Sequence, residues 1–120
     1  MFEIEFYETP NGERPVKQFI DKLKTAAETN KAERVRLNKI VSYMDALAQK
    51  GTWVGQPVTK HLEGEIWELR PYDDRILYFF VRNNRTFVLL HHFVKKTQKT
   101  PSREIETAKR RMADYIERNR

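Results

Sequence analysis

GEIWELRPYDDRILYFFVRNNRTFVLLHHFV, residues 64–94, reads as three strands separated by two short polar turns. The runs 65–70, 75–81 and 86–94 are rich in Ile, Leu, Val, Phe and Tyr, the side chains that suit a pleated, half-buried surface. Between them stand Pro71-Tyr72-Asp73-Asp74 and Arg82-Asn83-Asn84-Arg85, and connections this short predict an antiparallel meander. The second and third runs are apolar at consecutive positions, so the sheet is expected to be covered by helices on one face and in part on the other. Trp67, Phe79 and Phe93 are expected in the core.

Outward from this segment the hydrophobic period changes. Phe2, Ile4 and Phe6 alternate with Glu3 and Glu5, the pattern of a half-buried strand over residues 2–7. After the turn signal Pro10-Asn11-Gly12, Pro15 suits a first helical turn, and Val16, Phe19, Ile20 and Leu23 form a helical stripe. A second helical pattern starts at Lys31, carries Val35, Leu37, Ile40, Met44, Leu47 and Ala48, and stops at Gly51. These two helices are expected to pair as a hairpin. Residues 52–57 read as a loop and 58–62 as a short strand before the Glu63-Gly64 turn. On the C-terminal side, Thr100 reads as a helix N-cap and Pro101 as the first helical residue, with Ile105, Ala108, Met112 and Tyr115 or Ile116 as the buried stripe. The fold expected is α+β, an antiparallel sheet of four to five strands with an N-terminal helical hairpin and a C-terminal helix, in a single domain over residues 1–120.

Composition narrows the function classes. At 120 residues the chain has room for one core, and 39% hydrophobic with 12% aromatic residues excludes a disordered tail despite 33% charged residues. No apolar run approaches the roughly 20 residues of a membrane span, and MFEIEFYETP lacks the basic head and apolar stretch of a signal peptide, so a cytoplasmic protein without membrane contact is expected. With no cysteine, disulfides and thiolate zinc sites drop out. The net charge of +6 is polarised: residues 1–74 carry 11 Lys/Arg against 13 Asp/Glu, whereas residues 75–111 carry 10 against 2. A polyanionic partner would be attracted to that surface and release its counterions there; the alternative is a solvated basic face.

LLHHFVKKTQKTP, residues 89–101, places imidazole and ammonium groups at one strand end, directly before a helix start. Cutting RNA without a metal needs a base for the 2′-hydroxyl proton, cations for the charge building on phosphorus, and an acid for the departing 5′-oxygen. Arg70 closes one predicted strand and Arg75 opens the next, close enough for two guanidinium forks to grip one phosphate; as an alternative they guard strand ends. His91 and His92 are consecutive in a strand and so face opposite sides, His91 with Phe87, Leu89, Phe93 and Lys95, His92 with Val88, Leu90, Val94 and Lys96. Either could be a hydrogen-bonded core histidine. Lys95, Lys96 and Lys99 precede a helix N-terminus and would form a phosphate cradle, unless they are a solvated turn. Lys60 and His61 could extend the basic surface, and Tyr72, in the turn between the arginines, is the candidate for base stacking. Glu65, Glu68, Asp73 and Asp74 lack a metal-ligand spacing such as H-E-x-x-H, so no metal and no cofactor is expected.

The run L-x-G-x-I-W-E-L-R ending at Arg70, R-I-L-Y-F from Arg75, and L-L-H-x-F-x-K-K-x-x-K-T-P from Leu89 together resemble the phage-derived HigB branch of the RelE/ParE toxin superfamily. The resemblance covers nearly the whole chain. It implies a toxin of a type II toxin–antitoxin module that enters the ribosomal A site and cuts mRNA with basic residues on its sheet, leaving a 2′,3′-cyclic phosphate and a 5′-hydroxyl. By the same resemblance Arg70 corresponds to the phosphate-binding arginine, Arg75, His91, Lys95 and Lys96 are further catalytic-site members, and His92 stands where such sequences often have a small residue. Lys60, Tyr72 and Lys99 complete the expected RNA-binding set. The implied partner is a helix-turn-helix antitoxin, usually in a heterotetramer, through which the complex would contact operator DNA. The same fold class also hosts inhibitors of DNA gyrase, and a basic RNA- or partner-binding module without catalysis is the non-enzymatic alternative.

Overall fold

The computed structural model describes residues 1–120. The element order is β1 (Glu3–Phe6), α1 (Pro15–Ala27), α2 (Lys31–Lys50), a 3₁₀ turn (Gly51–Val54), β2 (Thr59–Glu63), β3 (Ile66–Leu69), β4 (Asp74–Val81), β5 (Thr86–Val94) and α3 (Ser102–Arg118). The meander of residues 64–94 is present as read. It continues on one side into β2 and on the other into β1, giving the sheet order β1-β5-β4-β3-β2.

Two expectations are corrected. The sheet is mixed rather than antiparallel, because β1 lies parallel to β5, with Glu3 opposite Thr86 and Phe6 opposite Leu89. Alternation identifies a strand but carries no information about its direction, and the helical pair with the meander supplies the long crossover that a parallel pairing needs. The helical pair is also not N-terminal, since a strand precedes it.

Each face of the sheet has its own core. Val16, Ile20 and Leu23 of α1 and Ile40 and Leu47 of α2 pack on Leu69, Ile76, Tyr78, Phe87 and Leu89. On the other face Ala108 and Tyr115 of α3 pack with Ile66, Leu77, Phe79, Val88 and Leu90. This double cover explains why β4 and β5 are apolar at consecutive positions. Phe79 is buried, whereas Trp67 and Phe93 are half-buried at the margins, and Val35 lies outside the α2 stripe, 47% exposed. Gly51 ends α2 at φ +63, and a Cβ there would stand 2.9 Å from the Phe2 ring, so both backbone and space require glycine.

The start of α3 also differs from its sequence reading. Pro101 is the N-cap residue and makes no side-chain capping bond, while the Thr100 hydroxyl donates instead to Glu68 Oε1 at 2.7 Å. A buried carboxylate has taken the hydroxyl that the cap would have used. A bulge in β5 matters equally: Leu77 pairs with His91, but the next residue, Tyr78, pairs with Leu89. Leu90 is the extra residue, so Leu90 and His91 both face α3, while Leu89 and His92 face the helical pair. The histidines do take opposite faces, but the companions expected upstream of each are exchanged.

Asp74, only 2% exposed, ties the helical pair to the sheet end. Its carboxylate accepts bonds from Arg36 Nε and Nη2, both at 2.7 Å, and from His92 Nε2 at 2.8 Å; the His92 ring stacks on Phe19 with centroids 3.5 Å apart. Burial pushes the Asp74 carboxyl up, but the bonds from Arg36 and His92 outweigh it and hold the group at about 2, against 3.8 in an unstructured chain. A depressed carboxylate stabilises the fold above its unfolded value and loses that contribution as pH falls through the folded one. Asp74→Asn is expected to cost about 2 kcal/mol at neutral pH and to remove the part of the acid sensitivity lying between 3.8 and about 2, measured by urea unfolding over a pH series.

Candidate functional site

The C-terminal ends of β3 and β5 and the start of β4 meet at one end of the sheet. Backbone bonds lock the three exits together: Arg70 N–H donates to the Val58 carbonyl at 2.9 Å, and Lys95 N–H donates to the Asp73 carbonyl at 2.8 Å. This stitching brings Arg70, Tyr72, Arg75 and Lys95 to a single rim. Lys60 joins it from β2, where it pairs across the ladder with Glu68 and therefore shares its side of the sheet.

Glu68 stands at the centre of the rim, 3% exposed. Its Oε1 accepts the Thr100 bond and lies 4.0 Å from Arg75 Nε, and its Oε2 lies 3.4 Å from Arg70 Nε. The two arginines are not equivalent. Arg75 is 5% exposed and spends Nη1 on the carbonyls of Tyr72, at 2.7 Å, and Asp74, at 2.8 Å. Burial lowers its basicity, Glu68 opposes that, and the neighbouring Arg70 charge adds to it. The Arg70 side chain is 25% exposed, with Nε buried and lacking a hydrogen-bond partner. Its outer nitrogens make no hydrogen bond to the protein, and with the Arg75 side chain only 6% exposed they are the more accessible guanidinium donors of the pair.

Tyr72 holds a positive φ of 53°, an uncommon conformation for a residue with a side chain; the residue is 56% exposed, and Lys39 Nζ lies 4.8 Å from its ring centroid. Beyond β5 an open cleft of about 700 Å³ lies against the start of α3, lined by Phe93, Lys96, Lys99, Thr100, Arg103 and Glu104 among others. Lys96 and Lys99 are exposed there, while Lys95 is half-buried. The cleft therefore carries two of the expected lysines and opens beside the arginine rim, to which Thr100 joins it through Glu68.

His91 lies on the basic side, facing α3. Its Nε2 donates to Glu104 Oε1 at 2.7 Å, and its Nδ1 accepts from Arg111 Nη1 at 3.3 Å. The pairing calls for the neutral tautomer with its proton on Nε2. Burial lowers the pKa, Glu104 opposes it, and the Arg111 charge adds to the lowering. Both nitrogens are thus engaged, and Glu104 rather than the imidazole lines the cleft. His92 is on the opposite face with Asp74, and His61 bonds the Gly64 carbonyl at 2.8 Å, away from the rim. The structure gathers no group of three or more His, Asp or Glu side chains as a metal cage.

Sequence reading passed over Glu68, Thr100 and Glu104 as site residues. For Glu68 a signal existed: in a strand the residue two before Arg70 shares its side, so W-E-L-R places a carboxylate beside that arginine. Glu104 had none, because its place depends on where α3 docks.

The family described as Phage derived protein Gp49-like (DUF891) matches residues 17–113. The chain belongs to this family. It is one of RelE/HigB type toxins, so the resemblance carried by the W-E-L-R and K-K-x-x-K-T-P runs holds at that level. The matched span of the Gp49-like chain runs from α1 into α3 and includes every residue of the rim and the cleft, leaving out β1. No curated protein matches the chain. No helix is long and apolar enough to cross a membrane.

A histidine held neutral by burial favours the folded state less as the unfolded chain gains its proton. Stability is therefore expected to decline as pH falls below the ordinary histidine value of 6.5, and His91→Asn should flatten that slope relative to the wild type in denaturant titrations.

Proposed function

We propose that this protein is the toxin of a type II toxin–antitoxin module, of the phage-derived HigB kind, and that it inhibits translation by cutting mRNA on the ribosome. The observation that carries this reading is the rim itself: an outward-facing Arg70 beside a lysine-lined cleft, in a chain of a RelE/HigB-type family. In the proposed reaction the 2′-oxygen loses its proton and attacks the adjacent phosphorus, the bond from phosphorus to the 5′-oxygen breaks, and that oxygen takes up a proton. The products are a 2′,3′-cyclic phosphate and a 5′-hydroxyl, and no metal takes part.

The charge that builds on the phosphoryl oxygens is met by Arg70, with Arg75 behind it and Lys95 and Lys96 across the rim. His91 acts in proton transfer through Glu104, the carboxylate it holds at the cleft wall. Lys60 and Lys99 track the flanking phosphates, and Tyr72 offers its ring to a base. The antitoxin is proposed to be a helix-turn-helix protein that neutralises the toxin in a heterotetramer and carries the contact with operator DNA, and the pair would work in the cytoplasm.

The test is brief induction in cells with mapping of new mRNA 5′ ends, on a reporter with and without its start codon. Cuts confined to the translated message are expected. Growth arrest with intact mRNA would point to gyrase instead, and salt-dependent RNA binding without a product would leave a binding module. Arg70→Ala is expected to lower cleavage by about 10²–10³-fold, and Lys95→Ala and Lys96→Ala by less, as read by primer extension on programmed ribosomes. Lys60→Ala and Lys99→Ala should each leave the cleavage step intact and reduce the salt slope of single-stranded RNA binding by about 0.7.

A further inference from the structure

Glu68 is the most deeply buried carboxylate near the rim after Asp74, and it is surrounded differently. Asp74 receives three hydrogen bonds and is complete. Glu68 receives one, from Thr100, and otherwise lies at 3.4 Å and 4.0 Å from two guanidinium Nε atoms. A buried charge held this loosely contributes little to stability compared with an apolar side chain of similar size, so a structural role explains its presence poorly.

Its position rules out a direct role in proton transfer. At 3% exposure, with one oxygen bonded to Thr100 and the other beside Arg70, the carboxylate has no path to a 2′-hydroxyl. What it does reach are the inner nitrogens of both arginines. Arg75 is fixed from its other side by two backbone carbonyls, whereas Arg70 has no other protein group to orient it. Without a negative charge between them, two guanidinium groups on adjacent strand ends would repel each other, and the free one would swing into solvent.

We infer that Glu68 is a positioning residue: with Arg75 and Thr100 it aims the Arg70 guanidinium outward, so that the Nη fork meets the phosphoryl group of the RNA backbone. The inference rests on the ribonuclease reading for its substrate, and it assigns the two arginines different work. Arg70 touches phosphate, and Arg75 acts behind it. Thr100 links this aim to the loop that carries Lys96 and Lys99, so the arginine and the lysines are held in one register.

The role separates binding from turnover. Glu68→Gln keeps size and the acceptor for Thr100 but removes the charge, making the rim one unit more positive. Binding to ribosomes programmed with a message 2′-O-methylated at the cut site is expected to be unchanged or tighter, while cleavage of the unmodified message falls at least tenfold. Thr100→Val, which leaves the carboxylate charged, is expected to show the same split in smaller measure, and it decides the matter if Glu68→Gln does not fold. Binding and cleavage that fall together, or cleavage within twofold of wild type, would overturn the inference.

A second readout does not depend on cleavage. The Arg70 Nε–H order parameter is expected to be that of a rigid group in the wild type, and to drop below about 0.6 in Glu68→Gln, with a weaker response to added inorganic phosphate. If the wild type cuts no message, the ribonuclease reading fails and this measurement judges Glu68 alone. An Arg70 signal equally rigid in both proteins would end the assignment.

Discussion

The β4–β5 ladder, with its bulge at Leu90, is the constraint on which the rest depends. It is an interior pairing of the sheet, and helices pack over both of its faces. Inserting one residue reverses the alternation from that point to the end of the strand. Leu89 keeps the helical side, His91 is turned to α3, and His92 is turned to Phe19 and Asp74. Without the bulge His91 would sit among Phe87 and Leu89 in the helical-pair core, and the imidazole nearest the basic cleft would be His92.

The same ladder sorts charge at its open end. Asp74 and Arg75 are neighbours in sequence and nearly fully buried, yet alternation sends them to opposite faces. Asp74 meets Arg36 and His92 under the helical pair, and Arg75 meets Glu68 on the side of α3. Each buried charge therefore has its counter-charge on its own face, and the sheet does not have to bridge them. At this end the outer nitrogens of Arg70 and the lysines after β5 are left without a protein partner, beside the exposed carboxylate of Asp73. Of the ten basic residues over 75–111, Arg75, Lys95, Lys96 and Lys99 gather at or beyond this end, while Arg82 and Arg85 stand in the β4–β5 turn at the other end and the remaining four lie on α3.

The parts of this arrangement legible in sequence were those governed by local period. Residues 64–94 announced three strands, the stripe from Val16 to Leu23 announced α1, and Gly51 marked the stop of α2. What was not legible depended on pairing between distant segments. β1 could be recognised as a strand but not as a parallel one, the bulge is a property of two strands and leaves no mark such as a glycine in L-L-H-H-F, and Thr100 looked like a cap because the competing carboxylate lies 32 residues earlier. The candidate site followed the same division. Arg70, Arg75, Lys95 and Lys96 could be placed at strand ends, whereas the roles of Glu68 and Glu104 emerge only once α3 has docked.

Docking of α3 is also what turns a basic strand end into a site. Its first turn supplies Glu104 to His91 and forms one wall of the cleft, and the residues just before it supply Thr100 to Glu68. A carboxylate on each of these contacts means that α3 does not simply add positive charge. It removes the mobility of an imidazole and of two guanidinium groups while leaving the lysines free in solvent. Electrostatic stabilisation of a transition state depends on donors already oriented before charge develops, whereas attraction of a polyanion needs only charge. In the proposed reaction the lysines serve the second need and the buried Glu68 serves the first, which is why an acidic residue belongs at the centre of a surface proposed to meet a polyanion.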